Sequence, residues 1–281
     1  MSEAIFRLSA FGDEIADDLA AQLDTLAEQR IQSIEVRAAW GKNVLDLTDE
    51  ELHAARTLLD ARGFGVSAIG SPIGKSSLEQ PRDFELRRLE RAIYTADTLG
   101  ARLIRVFSFF VPQGDVDESI ERETLARLRL LTAEAERARL TLVHENEKGI
   151  FGDTAERCRL LLSAIDSPAM RQVFDPANFV QVGVHPMRDA WPLLAAYTTH
   201  IHIKDARFSD GAVYPPGQGD GALGELLETL AQTGYQGYLT LEPHLRFAGP
   251  AGDYSCPEGM RVASQALRTL LQSCQTPIIV Q

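Results

Sequence analysis

The chain has 281 residues, 44% of them apolar, enough for one large α/β core, and no uninterrupted apolar run approaches the roughly 20 residues of a membrane span. A net charge of −12 argues against a nucleic-acid or anionic-membrane surface, because phosphate binding rests on clustered Lys and Arg. The start of the chain lacks a basic stretch followed by an apolar run, and Cys158, Cys256 and Cys274 fit no metal or redox spacing. A cytoplasmic protein with reduced thiols and a small-molecule substrate is therefore expected.

Residues 5–11 form an apolar strand candidate, and Gly12-Asp13-Glu14 turns the chain into a helix whose Leu19, Leu23 and Leu26 recur at helical spacing. Residues 31–37 make the second strand. A helix begins near Thr48, with Glu51 as its capping-box partner, and stops near Gly63. Strand three spans 65–70 and closes in the loop Ser71-Pro72-Ile73-Gly74-Lys75; Pro81 opens a helix that ends at Gly100. Strand four, 102–107, leads through Ser108-Phe109-Phe110-Val111-Pro112 into a long helix over 117–139. The second half continues with strand five (140–146), a helix over 154–165, strand six (171–175) and a helix over 187–197. Strand seven lies within 199–206, a Gly/Pro-rich loop within 214–221 and a helix over 223–233. Strand eight (237–243) and a closing helix (258–272) complete the series. Eight strand–helix alternations with right-handed crossovers predict a single (β/α)8 TIM barrel, one domain over residues 1–281.

Residues 199–206 read Thr-His-Ile-His-Ile-Lys-Asp-Ala. Side chains alternate along a strand, so His200, His202 and Lys204 share one face while Ile201 and Ile203 look the other way. Polar inside and apolar outside is the pattern of a barrel strand that is covered by helices and opens into a polar pocket at its C-terminal end. Strands five, six and eight finish in Glu145, Asp175 and Glu242, spaced like successive strand-plus-helix units of about 30 residues or more. Glu145, Asp175, His202 and Glu242 thus form an oxygen-rich set at one rim. Such a set suits Mn²⁺, Mg²⁺ or Co²⁺, with Zn²⁺ also accommodated, and leaves positions for substrate oxygens.

Other residues are placed around this set. His200, one rung deeper, is either a donor behind the ligands or a satisfied core histidine. His144 should point away from the lumen as a structural residue. Glu147 is either a base behind Glu145 or a solvated loop carboxylate. Arg37, Lys75, Lys204, Arg207 and Arg246 stand near strand ends and together suggest a pocket for a phosphate or carboxylate group. Trp40 and Phe109 are candidates for an apolar wall against a sugar face, whereas Trp191 is expected in the core. Gly217, Gly219 and Gly221 allow a tight loop able to cradle a phosphate.

The stretches His144-Glu145-Asn146-Glu147, Phe174-Asp175-Pro176-Ala177-Asn178, His202-Ile203-Lys204-Asp205, Gly217-Gln218-Gly219 and Leu241-Glu242-Pro243 resemble segments of the sugar phosphate isomerase/epimerase family. Ser9-Ala10-Phe11-Gly12-Asp13-Glu14 and Ser71-Pro72-Ile73-Gly74-Lys75 are also similar to members of this group, so the resemblance covers nearly the whole chain. It implies a xylose isomerase-like barrel, with ketose 3-epimerases, hydroxypyruvate isomerases and inosose dehydratases as relatives. It carries the metal ligands onto Glu145, Asp175, His202 and Glu242, and the acid and base of an enediolate-forming proton transfer onto Glu145 and Glu242. Mn²⁺ is the metal expected, the substrate a small sugar or sugar phosphate, and such barrels often form homodimers. Where epimerases of the family often have His three residues after the aspartate, this chain has Asn178, which donates hydrogen bonds but carries no proton.

The alternatives are a dehydratase, an endonuclease-like hydrolase and a non-catalytic metal-binding barrel. The hydrolase needs histidines at the ends of strands three and four, where the chain reads Ser71-Pro72-Ile73 and Ser108-Phe109-Phe110.

Overall fold

The structure, a computed structural model, describes residues 3–112, 116–245 and 256–281. Its barrel strands are β1 (Ala4–Phe11), β2 (Ser33–Val36), β3 (Gly65–Ile69), β4 (Leu103–Val106), β5 (Thr141–Glu145), β6 (Met170–Phe174), β7 (Thr198–Ile203) and β8 (Gln236–Leu241). Each is parallel to the next, and β8 pairs with β1 from Ile5↔Gln236 to Ala10↔Leu241, which closes the ring. The layer outside consists of α1 (Leu19–Glu28), α2 (Asp49–Ala61), α3 (Asp83–Leu99), α4 (Glu118–Ala138), α5 (Ala155–Ile165), α6 (Pro176–Gln181), α7 (Trp191–Leu194), α8 (Leu223–Thr233) and α9 (Pro257–Ser273). No described helix is long and apolar enough to cross a membrane.

The apolar core lies between the two layers. Phe6, Leu8 and Ala10 of β1, Ile34 and Val36 of β2, and Ile201 and Ile203 of β7 are buried, as are the helix residues Leu23, Leu26, Leu59, Leu89, Leu128, Leu227 and Leu267 that continue the same cluster. The alternate residues turn inward, so the lumen is polar: Ser9 and Ser67 share a hydrogen bond of 2.7 Å, and Glu35 reaches from β2 to β7. Strand alternation therefore separates a greasy outer face from a charged inner one.

Most helix starts follow side-chain caps visible in the sequence. Thr48 and Glu51 form the reciprocal capping box of α2, Asp117 caps α4 and Thr154 caps α5. The expected helix over 187–197 is corrected: it is a π-helical turn (Pro186–Ala190), the short α7 and a 3-10 turn (Ala195–Tyr197). Pro186 and Pro192 lack the N–H that a regular helix uses, which breaks the segment into pieces. The short hairpins Ala38–Ala39/Lys42–Asn43 and Asp205–Ala206/Val213–Tyr214 were not anticipated, nor were two further elements. The first is α6, which Asp175 caps by accepting from Asn178 N, with Pro176 in its first turn. The second is β9 (Ile278–Val280), which pairs with Ala4 to Phe6 of β1 on the flank where β2 joins only at Ala10 and Phe11.

Candidate metal centre

Glu145 closes β5, Asp175 follows β6, His202 lies in β7 and Glu242 follows β8, so consecutive strands deliver all four to the C-terminal rim. Each is buried, and one donor atom from each lies within 4.8 Å of all the others. His202 Nδ1 is 3.1 Å from Glu145 Oε1 and 3.8 Å from Asp175 Oδ2. Its other nitrogen faces Glu35 Oε2 at 3.4 Å.

Three cations hold these carboxylates. Lys204 Nζ lies 2.8 Å from both Asp175 Oδ2 and Glu242 Oε2; Arg37 Nη1 is 2.8 Å from Glu242 Oε1; Arg105 Nη1 is 3.2 Å from Glu145 Oε2. Burial would push the Glu145 carboxyl up, but His202 and Arg105 hold it at about 2. Glu242 is likewise kept well below the usual range, Lys204, His244 and Arg37 outweighing its burial. Asp175 behaves otherwise. Burial raises it to about 7 despite Lys204, with Glu145 and Glu242 adding repulsion. His202 is raised to about 10 because Glu145 and Glu35 together outweigh the burial that favours the neutral ring. Lys204, although buried, stays charged between its two partners.

The donor set fits a divalent cation. Three carboxylates and an imidazole nitrogen converge within one coordination sphere, and the single ammonium at Asp175 does not offset the cost of keeping that carboxyl ionised in a buried place.

The model of the family described as "Xylose isomerase-like TIM barrel" matches residues 23–270. The chain belongs to that family. No curated protein matches it in sequence. Among solved structures, the xylose isomerase-like barrel is similar to the IolI protein with a binding zinc atom (TM-score 0.78, 17% identity, 96% of this chain and 100% of that one covered). It is similar also to a D-tagatose 3-epimerase-like protein (TM-score 0.76, 18% identity, 95% and 97% covered). The probable 3-DHS dehydratase AsbF of Bacillus anthracis matches with a TM-score of 0.73 at 16% identity, over 96% of this chain and 99% of that one.

Two adjoining cavities of about 190 and 200 Å³ open above the carboxylates of this xylose isomerase-like barrel. Arg37, Lys75, Lys204, Glu145 and Glu242 line the first; Asn178, Lys204 and Val213 line the second; Glu147 and His244 border both. Asn178 Nδ2 donates to Glu145 Oε1 at 3.2 Å and to Asn146 O at 2.8 Å.

Four residues expected to touch substrate line neither cavity. His200 is fully buried below the rim, bonded to Glu35 and to Thr240 Oγ1 at 3.0 Å, because its position one rung down the strand points it into the lumen floor. Phe109 is fully buried with a left-handed φ of 68° and lies under the Arg127 guanidinium. Trp40 occupies the turn of the hairpin Ala38–Ala39 and Lys42–Asn43 and packs on the core. Arg207 stacks on Tyr214, 3.8 Å from the ring centre, and donates to Gln218 O.

The expected anion sites are filled by the protein's own carboxylates. Lys75 pairs with Glu147 at 3.1 Å, and Arg37 is shared by Asp13, Glu14 and Glu242. The glycine loop cradles no open site: Gly217, Gly219 and Gly221 donate their backbone N–H groups to the Asp205 carboxylate at 2.8, 3.0 and 2.8 Å. Arg246 lies outside the described residues. His144 points away from the lumen, 3.0 Å from Ser108 Oγ, and burial depresses it to about 4.

Glu14, Glu35, Arg105 and His244 were missed by the sequence reading. Ser33-Ile34-Glu35-Val36-Arg37 and Ile104-Arg105-Val106 carry the same inverted alternation as residues 199–206, so the signal for Glu35 and Arg105 was present. Glu14 lies in a short 3-10 turn (Gly12–Glu14) and His244 in a loop, where no periodicity marks them.

Proposed function

We propose that the protein is a divalent-metal-dependent isomerase or epimerase of a small uncharged sugar or related polyhydroxy ketone. The observation that carries this reading is the convergence of Glu145, Asp175, His202 and Glu242 within 4.8 Å at the open end of the barrel. These four residues would hold the ion, which when bound supplies positive charge against the negative charge developing on substrate oxygens.

Glu145 and Glu242 come from strands separated by β6 and β7, so their carboxylates approach from two sides. One removes a proton from the carbon beside a carbonyl, leaving an enediolate, and the other returns a proton to the opposite face. Arg105 keeps Glu145 ionised and ready to accept; Arg37 and Lys204 do the same for Glu242. Lys204 and Asn178 border the cavity, Lys204 with a third N–H for a substrate oxygen and Asn178 with its Oδ1 as an acceptor for a substrate hydroxyl, its two N–H groups being given to Glu145 and Asn146.

The substrate is taken as uncharged because four cations of the cavities, Arg37, Lys75, Arg105 and Lys204, are each engaged by a carboxylate, and Lys148 stands at the exposed edge of the second cavity. A phosphate would have to compete for them among Glu145, Glu147 and Glu242. Asn178 supports a second reading, a dehydratase using the same enediolate, since it cannot relay a proton as histidine does.

The test is solvent-deuterium exchange into a panel of ketoses, their phosphates and inososes, with Mn²⁺, Mg²⁺, Co²⁺ or Zn²⁺ added. Exchange next to the carbonyl of a neutral ketose is expected, without water loss for an isomerase and with it for a dehydratase. Glu145→Gln and Glu242→Gln should each slow exchange at least 100-fold while metal is retained. Both variants within tenfold of the unaltered protein would rule the mechanism out.

A further inference from the structure

Glu35 has no place in the proton transfer, yet it is a fully buried carboxylate inside the barrel. It projects from β2 across the lumen to β7, where Oε2 is 2.8 Å from His200 Nε2 and 3.4 Å from His202 Nε2. His202 is held from the sides as well. The Phe11 ring meets it edge-on at 5.1 Å, and the His200 ring stands nearly perpendicular at 5.4 Å between centres. His200 in turn is pinned by Thr240 Oγ1.

A neutral imidazole carries one proton; both nitrogens of His202 face carboxylates, and an ion held by Glu145 and Asp175 would take the Nδ1 side and leave the proton on Nε2. In this barrel the acceptor behind His202 is Glu35, at Nε2, while Nδ1 is turned to Glu145 and Asp175. We propose that Glu35 is a positioning residue that fixes His202 as the Nε2–H form with Nδ1 offered to a divalent cation, and that His200 holds Glu35 in register for this task. The inference rests on the metal-site reading above and deepens it, because Glu35 decides which nitrogen faces the ion and how firmly the ring is aimed.

The test compares the full chain with Glu35→Ala, Glu35→Gln and His202→Ala, each checked for folding by circular dichroism. Mn²⁺ and Zn²⁺ affinity and stoichiometry are measured by calorimetry, and the histidine nitrogens of the zinc-loaded protein are read by ¹⁵N NMR. One ion per chain is expected, lost in His202→Ala. Loss of that outer carboxylate should weaken binding by about 10- to 100-fold in Glu35→Ala and less in Glu35→Gln, whose amide oxygen still accepts from Nε2–H. The NMR signature expected is a protonated Nε2 and a metal-shifted Nδ1 on His202.

Unchanged affinity in Glu35→Ala, with His202→Ala still abolishing binding, overturns the role of Glu35 and leaves the metal site standing. No binding by the unaltered chain overturns the metal site itself. Two ions per chain, falling to one in Glu35→Ala, would make Glu35 a ligand rather than a positioning residue. If the alanine variant does not fold, zinc on Nε2 of His202 in the unaltered protein is the result that sinks the proposal.

Discussion

Lys204 is the residue on which the charge balance of the rim turns, because its ammonium is shared at 2.8 Å by Asp175 and Glu242. Removing one partner from a buried ion pair leaves uncompensated charge and costs about 3–5 kcal/mol. Lys204→Met should therefore unfold several degrees below the unaltered protein in the presence of a chelator. Added Mn²⁺ should recover most of that loss, since among the described residues only Arg37 and the two histidines His202 and His244 would be left to balance those two carboxylates. Equal melting temperatures with chelator would contradict the pairing. The residue also illustrates what could be read in advance: the alternation of His200, His202 and Lys204 put all three in the lumen, but only distances reveal that the lysine is spent on carboxylates and that His200 faces Glu35.

At the scale of elements, the loop between β7 and α8 is tied down by Asp205, whose carboxylate accepts three glycine N–H groups. A side chain at Gly219 would bring its Cβ to 2.4 Å from Asp205 Oδ1 and 2.5 Å from Ala206 O, so glycine is needed there for close approach. Hydrogen bonds to a charged group contribute about 1.5–3 kcal/mol each, part of which solvent restores when the loop opens, so Asp205→Ala should cost about 2–3 kcal/mol. Urea denaturation measures the loss, and faster proteolytic nicking within 207–221 should accompany it. An unchanged midpoint would mean that the loop is held by something else. The sequence displayed these glycines but not their anion, because an aspartate twelve residues upstream has no spacing rule that links it to them.

The packing of α3 and α4 offers a pH test away from the rim. Glu123 on α4 is bonded to Arg82 and Arg127, and it is chiefly Arg82 that holds its carboxyl down at about 2. A carboxyl depressed on folding adds stability above its unfolded value of about 4.3, and that contribution fades as pH falls toward 2. The group is partly open to solvent, so the network should contribute no more than about 1 kcal/mol. Glu123→Gln is thus expected to lower the thermal midpoint slightly at pH 7, with the difference vanishing between pH 4 and pH 2. A gap that widens in acid would reverse the assigned sign.

For the whole molecule, most of the strand–helix rhythm was legible because short strands alternate with helices, several of them opened by a side-chain cap, and the barrel follows from eight such units. What escaped was whatever depends on contacts between distant units, including β9 on the flank of β1 and the reach of Glu35 to β7. Ligand linkage provides a global measure of the rim: an ion at about 100 times its dissociation constant adds about 2.7 kcal/mol to folding stability. Chelation should accordingly lower the midpoint by about 5–10 °C, reversibly on adding Mn²⁺. A midpoint indifferent to both treatments would count against tight metal binding by the native state.

Three ion pairs join the two halves of the barrel rim: Arg37, Lys75 and Arg105, from β1 to β4 and their loops, meet Glu242, Glu147 and Glu145, from β5 to β8 and theirs. The halves are consequently complementary rather than equivalent. A permuted gene or a pair of separately expressed half-barrels should reassemble only as first with second, since two copies of the latter would set like charges face to face.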